Sequence, residues 1–475
     1  MRRPGRWLRR LLVLGVAGGV LAGAGVLAFL QHAGITPRAL GPYVGKRAEG
    51  HNDTIRAIGA FLQTTLVRLD RGDSAPLLDP LSAGAQLRGR DGGAIPGELL
   101  TASVDEARQF LLDARPGAVL TFLPGTYRFD GSVKSQGGGR EGKPVIVRAR
   151  VPGSVILEMR SEEGFQVSGP YWIFRDLIIR GACASHADCE HAFHIFGNAK
   201  HFSSINNHIA DFNAHFKINA LDGVFPDSGL IEHNTLTNTR IRATSNPVVP
   251  IDIVAASGWT IRANLITDFI KGDGNLVSYG GFAKGAGSHN VFEQNVVLCE
   301  HRLHFKGQRV GLSLGGGGSG GVFCRDGKCI TEQEDSIIRD NLVAHCSDAG
   351  IYLNSAARST ISHNTLIDTA GVDVRFATSS ADLQGNLIDG VINARDQATA
   401  RASDNLVTPA SLLYFGWHPQ RRLLRAPLAG DFGWAGEPPR RALASERTPD
   451  LCGKPRPAKP AYGAFEDFRA CLLQP

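Results

Sequence analysis

The chain has 475 residues, with 43% hydrophobic and 20% charged side chains, which excludes a chain that is disordered over most of its length. Glycine is abundant at 57 residues but shows no Gly-X-Y period, so collagen is excluded, and methionine is scarce at 2. The net charge of +6 is concentrated: Arg2, Arg3, Arg6, Arg9 and Arg10 supply five basic residues before position 11, and no basic stripe with interleaved aromatics follows. Nucleic acid is therefore not an expected partner.

Residues 1–10 read as a cytoplasmic basic tail and residues 11–30 as an uncharged stretch of bilayer-spanning length. An uncleaved transmembrane anchor is favoured over a signal peptide, because the stretch is long and no small-residue cleavage site follows. Either way the remainder is exported: a single-pass protein of a bacterial inner membrane with its main domain in the periplasm, or a secreted one if the segment is cleaved. Eight cysteines agree with an oxidising compartment. Cys183 and Cys189 lie close together, as do Cys324 and Cys329; Cys452 and Cys471 bracket the tail, which leaves Cys299 and Cys346. Disulfides are favoured over a zinc site at Cys183, His186, Cys189 and His191, for which no second Cys/His pair is evident.

Residues 31–97 hold a helix and a linker. Ile55, Ile58, Leu62, Leu66 and Leu69 recur at helical spacing, and 70–97 are rich in Gly, Asp and Pro. A second helix starts at the capping box Ser103-x-x-Glu106, shows Ala107, Phe110 and Leu111 on one face and stops at Pro116-Gly117. It reads as a cap over the first turn of a solenoid, because an open end would expose strand edges.

From residue 98 to 408 the chain repeats. An apolar residue, two variable residues, Asn and further apolar residues recur around Asn234, Asn264, Asn295, Asn341, Asn364, Asn386 and Asn405. The steps are 30, 31, 46, 23, 22 and 19 residues, so one coil is about 22 residues. A coil this short fits three strands and turns. The expected fold is all-β, a right-handed parallel β-helix with an N-terminal capping helix and an N-terminal anchor. The asparagines suit a repeated turn, tolerating the left-handed backbone region and stacking amide on amide. The step of 46 is a coil plus an insertion, placed at 312–336 and read as a glycine-rich flap closed by Cys324 and Cys329; a phosphate loop lacks its Lys-Ser/Thr. Residues 409–475 read as a C-terminal cap or tail.

Each coil carries a second strand, aligned as 192–196, 215–219, 250–254, 275–279, 310–314, 350–354 and 371–375. Alternation turns His194, Lys217, Asp252, Ser313, Tyr352 and Asp373 outward, with His215, Asn219, Asn354 and Arg375 beside them. The 275–279 segment fits this register poorly. The mixed charge of the strip favours a binding groove over a plain solvated face, and His194, His215, Tyr352, Asn354, Asp373 and Arg375 are its candidate substrate contacts. Lys217 with Asp252 is one catalytic candidate, with His194 or His215 as acid, although an ion pair is the plainer reading. The run Glu300-His301-Arg302-Leu303-His304 is read as a polar turn.

Five segments carry a family resemblance: Pro116-Gly117-Ala118-Val119, Pro124-Gly125-Thr126-Tyr127, Gly142–Ala149, Gly153–Leu157 and Gly169–Leu177. Over roughly 96–405 the chain resembles the chondroitinase-B-like family, polysaccharide lyase family 6. The resemblance implies β-elimination on an acidic, uronate-containing polysaccharide, with the uronate carboxylate neutralised, by calcium in several members, a lysine base and an arginine near the leaving oxygen. The family's calcium ligands map onto Asn219, Asp273 and Asn275. Its lysine maps near Tyr279 or Gly280, where Lys284 is the nearest lysine, and its arginine maps near Leu314, where Arg309 is nearest. Two other readings stand beside the lyase: a non-catalytic glycan-binding or envelope-assembly protein, and a uronate C5-epimerase. The polymer and the oligomeric state are not legible.

Overall fold

The computed structural model describes residues 6–72, 81–89, 91–316, 319–442 and 448–473, with side chains left aside for 6–12. The chain divides into two compact units, residues 1–71 with 408–418, and residues 72–407 with 419–475.

The smaller unit is helical. Helix α1 spans Arg6–His32, and within it Val13–His32 is long and apolar enough to cross a membrane. Helix α2, Pro37–Ala48, starts where the Thr36 hydroxyl accepts from the Ala39 N–H, with Pro37 in the first turn, where no N–H is needed. Helix α3, Asp53–Asp70, contains the expected 53–69 segment and is capped by Asn52. The apolar residues that marked it do not all face inward: Ile55, Ile58 and Leu62 are exposed, and α3 instead lays Gly59 against Ala48 of α2. A β-carbon at Gly59 would collide with Ala48, so glycine permits this close approach. The buried Arg38–Asp70 ion pair, 3.1 Å, ties the start of α2 to the end of α3.

The larger unit is a parallel β-helix, the all-β solenoid expected. Among the described residues its strands stack into sheets of 12, 10 and 11 members in which successive coils are neighbours, all pairs parallel. Helix α4, Val104–Asp113, covers the first coil with Ala107 and Leu111 fully buried. Its Ser103 hydroxyl accepts from the Glu106 N–H at 3.3 Å, while the Glu106 carboxylate takes the Thr101 hydroxyl at 2.7 Å rather than closing the box on Ser103. The interior is apolar; the Phe165, Phe193 and Phe216 rings stack at 5.2 and 5.4 Å directly beneath the ten-stranded sheet.

The asparagine ladder is present. Asn264 Nδ2 donates to Asn295 Oδ1 at 3.0 Å and Asn295 Nδ2 to Asn341 Oδ1 at 3.0 Å, and the series continues to Asn405. One detail is corrected. The left-handed backbone belongs to the residue before each ladder position, including His233, Ala263, Gln294, Asp340, His363 and Asp404, not to the asparagine. The preceding residue makes the corner, which leaves the asparagine amide free to bond the coils above and below.

The eight cysteines form four disulfides: Cys183–Cys189, Cys299–Cys346, Cys324–Cys329 and Cys452–Cys471. Cys299–Cys346 joins successive coils across the insertion. The C-terminal segment packs Phe432, Phe465 and Phe468 against Leu298, Leu342 and Leu387 of the eleven-stranded sheet, with Cys452–Cys471 inside that segment.

Candidate functional site

The ten-stranded sheet carries the groove, and its register is explicit. Gln166, His194, Lys217, Asp252, Phe282, Ser313, Tyr352, Asp373 and Asn393 pair from coil to coil in one outward column. The six central residues read from alternation all fall in it. The missing member is Phe282. The groove strand of that coil is Val277–Lys284, and the segment that aligns with Asp252 is Gly281–Lys284, not 275–279. This slip moves Lys284, paired with Val254, to the edge of the groove beside Lys217 and Asn219.

The same register separates the three residues mapped as calcium ligands. Asn219 closes the strand Ala214–Asn219 on the Lys284 side, whereas Asp273 and Asn275 precede the opposite end of Val277–Lys284. Eight residues of strand lie between, roughly 25 Å at 3.3 Å per residue. The Asn275 amide oxygen is occupied by Lys271 at 3.0 Å and by the Val277 N–H. Asn219, Asp273 and Asn275 therefore do not form a calcium site.

A cavity of about 780 Å³ lies over the first coils of the groove. Its floor holds His191, His194, Lys217, Asn219 and Lys284, and its roof is the insertion, with Val322, Phe323 and Arg325. Arg325 fixes the roof: its guanidinium grips Asp227 with two bonds of 2.8 and 2.9 Å and lies 4.2 Å over the Phe225 ring. The expected flap is thus anchored onto earlier coils as well as closed by its disulfide; Gly317 and Gly318 lie outside the described residues.

The floor is chemically divided. Lys217 Nζ donates to the Asp252 carboxylate at 2.7 Å, and Asp252 is buried, so this pair is an ion pair. Among the described residues Lys284 has no carboxylate partner; its Nζ sits 4.6 Å over the Phe282 ring. His194 is held between Glu163 Oε1, 2.8 Å from Nδ1, and Asn219 Oδ1, 2.7 Å from Nε2. His191 Nδ1 points at the same Glu163 oxygen from 3.8 Å. The two imidazoles that face it hold the Glu163 carboxyl well below its usual range. Glu163, His191 and His194 place their ligand atoms within 4.8 Å of one another, a set that could hold a metal ion. Next to it, burial pushes the Glu190 carboxyl up, and the adjoining Glu162 carboxyl acts in the same direction.

Three sequence candidates stand elsewhere. His215, read as outward, is fully buried with Nε2 against the Thr237 carbonyl at 3.0 Å, and burial lowers it to about 4. The segment carrying Arg242 covers this end of the strand, so an outward register position is not an exposed one. Arg309 is also fully buried; its Nε meets Glu300 at 2.8 Å and its Nη atoms reach the Phe305 and Lys306 carbonyls. It cannot reach a polymer in the groove. Glu300 is likewise buried, so the 300–304 run is not simply a solvated turn.

Tyr352, Asn354, Asp373 and Arg375 form a separate cluster. Asn354 Nδ2 donates to the Tyr352 hydroxyl at 3.1 Å, Arg395 clasps Asp373 at 2.7 Å and Arg375 meets Asp396 at 2.6 Å. Lys217 and Tyr352 are four coil steps apart, roughly 19 Å at 4.8 Å per step. The groove is thus long, and its cavity occupies one end.

Sequence reading missed Glu163 and gave His191 only to the zinc alternative. Residues three apart in a strand fall on opposite faces, so His191-x-x-His194 gives no one-face signal. Glu163 and His191 each open a strand and pair across neighbouring coils, where the chain is still leaving a turn.

A family model described as Chondroitinase B matches residues 101–265. No curated protein matches the chain. Among solved structures, a mannuronic-acid-specific polysaccharide family 6 lyase from human gut microbiota is similar at 14% identity and TM-score 0.39, covering 62% of this chain and 68% of that one. An alginate lyase from Paenibacillus sp. str. FPU-7 is similar at 15% identity and TM-score 0.40, covering 66% and 95%. Pectate lyase Pel9A is similar at 13% identity and TM-score 0.44, covering 77% and 91%. The match over the opening coils, on a solenoid of stacked parallel sheets, makes this chain similar to the chondroitinase B family and polysaccharide-lyase-like in fold.

Proposed function

We propose that this chain is an exported enzyme that cleaves an acidic, uronate-containing polysaccharide by β-elimination at the roofed end of its groove. The observation that carries the reading is the cavity floor, where Lys284 stands, among the described residues, without a carboxylate partner beside Lys217, His191 and His194. The cations on this floor suit a polyanion, and the cavity is of ligand-binding size.

In this reading Lys284 Nζ takes the C5 proton of the uronate. The C5 electron pair forms the C4–C5 double bond as the C4–O bond breaks. The leaving oxygen then takes the proton back from Lys284, so one side chain serves as base and acid. Lys217, oriented by Asp252, contributes positive charge where the uronate carboxylate gains electron density. Arg309 has no part, and no step passes through calcium. The aromatic and charged side chains around Tyr352 and Arg375 would bind the polymer further along the groove.

Export is supported by the apolar helix α1 and by four disulfides. A single-pass anchor in a bacterial inner membrane, with the solenoid in the periplasm, fits this arrangement.

The test incubates the protein with alginate, chondroitin sulfate, hyaluronan, heparin and pectate and follows the ultraviolet absorbance of the unsaturated uronate. A rise with one polymer, lost in Lys284→Ala and weakened in Lys217→Ala mainly through kcat, supports the reading. Changed uronate composition without new chain ends would indicate a C5-epimerase. Retention on a glycan matrix without any product would indicate a binding protein. Either of these refutes elimination.

A further inference from the structure

We propose that Glu163, His191 and His194 form a binding site for a divalent transition-metal ion of the zinc class, with an open coordination position facing the cavity. Glu163 and His191 stand opposite each other on adjacent coils, and His194 follows on the His191 strand. Glu163 Oε1 lies 2.8 Å from His194 Nδ1 and 3.8 Å from His191 Nδ1. These separations bracket the ~3.3 Å edge of a tetrahedron built on metal–ligand bonds of about 2.0–2.1 Å. Both Nδ1 atoms are buried, and neither makes a well-directed hydrogen bond, although both aim at one carboxylate oxygen. Two imidazole nitrogens converging on a carboxylate in this way are arranged as ligands rather than as donors.

The surrounding groups fit the same role. Gln166 Nε2 donates to Glu163 Oε2 at 2.6 Å and orients the carboxylate. Asn219 Oδ1 lies 2.7 Å from His194 Nε2 and fixes the ring through its far nitrogen. Metal-binding histidines and carboxylates are commonly held by such outer partners.

The donor set selects the ion. Two nitrogens and one oxygen suit zinc, cobalt or nickel, whereas calcium needs six to eight oxygens. Three protein ligands leave at least one position free, which is the pattern of sites that bind a substrate or water. His191 and His194 line the cavity, so that position faces Lys217 and Lys284. An anionic oxygen, such as a uronate carboxylate, is the ligand it would take; this last point rests on the proposed function, whereas metal binding does not.

The test uses the full-length chain without a polyhistidine tag, kept in mild detergent, with no polymer present. Cobalt(II) is titrated and its visible absorption followed, and zinc binding is measured by calorimetry. The expected result is one equivalent bound, with the intense bands of a four- or five-coordinate ion. Affinity should fall at least 100-fold in His194→Ala and in His191→Ala, and about 10- to 100-fold in Gln166→Leu or Asn219→Leu. Lys284→Ala should bind normally. Zinc should raise the melting temperature of the wild type but not of His194→Ala, and the metal-free melts of the two should agree, so that a folding defect is recognised. The proposal is overturned if no stoichiometric binding occurs, if the histidine variants bind as the wild type does, or if calcium competes at equal concentration. A blank polymer assay beside intact cobalt binding would refute the elimination reading and leave the metal site standing.

Discussion

Replacing Arg309 by Met separates a structural from a chemical role for the one arginine that the family resemblance brought near the reaction. Arg309 is fully buried and Glu300 almost so, 0% and 4% side-chain exposure, with 2.8 Å between Nε and the carboxylate. Removing one member of a buried pair leaves the other charge uncompensated and costs about 3–5 kcal/mol. The Phe305 and Lys306 carbonyls lose donors as well, so the upper part of that range is expected. Because a solenoid transmits stability mainly between neighbouring coils, the loss should be local. Hydrogen exchange of the amides of 299–314 should accelerate strongly, while those of the first coils change little. The double variant Glu300→Gln/Arg309→Met should recover at least ~2 kcal/mol, since the orphaned charge is gone. Turnover per folded molecule should stay within a few-fold of wild type. Unchanged exchange over 299–314 together with abolished turnover would refute this reasoning and make Arg309 a catalytic residue.

Three further outcomes follow from the same geometry. Asn295→Ala removes a side chain that accepts from the Asn264 amide and N–H and donates to Asn341 and the Ile261 carbonyl, so urea unfolding should show a loss of about 3–4 kcal/mol; the same change at the half-buried end of the ladder, Asn405→Ala, should cost clearly less. His215 is neutral in the fold because burial lowers it from 6.5 to about 4, so between those values the unfolded chain binds the additional proton. Stability from this group is full above pH 6.5 and falls as pH drops towards 4, by ~3 kcal/mol in all; His215→Gln should flatten that part of the pH–melting profile, and an unchanged profile would count against it. Arg325→Ala cuts the bidentate hold of the roof on Asp227; the pair is partly exposed, so global stability should fall by only ~1 kcal/mol, while proteolytic cutting within 319–330 should rise several-fold.

The repeat was legible because coil stacking imposes it: the same turn must recur every coil, and the asparagine amides that staple the turns appear as a periodic residue. The outward column was legible for the same reason, since alternation is a local rule. What the sequence hid lies where alternation ends or where another segment covers the sheet. His215 holds an outward register position yet is buried, because the segment bearing Arg242 lies over it. Arg309 also alternates outward, and the buried Glu300 captures it. Glu163 and His191 were illegible as a pair because each opens its strand and they lie 28 residues apart, brought together only by coil register.

Register also decides the chemistry of the site. Had the 275–279 segment lain in the groove, Tyr279 would have stood level with Asn219 and Val254. The long strand Val277–Lys284 instead draws the chain forward, so that Lys284 occupies the groove edge and Asp273 and Asn275 lie at the far end of the strand. The only nearby carboxylate with two imidazoles is then Glu163, two coil steps before Lys217 on the first side of the same column, among the described residues. An anion entering under the roof would meet the imidazole cluster on one side and Lys284 on the other, with Lys217 held between them by Asp252. The register of this one strand thus decides that Lys284, and not Tyr279, stands at the Asn219 end of the groove.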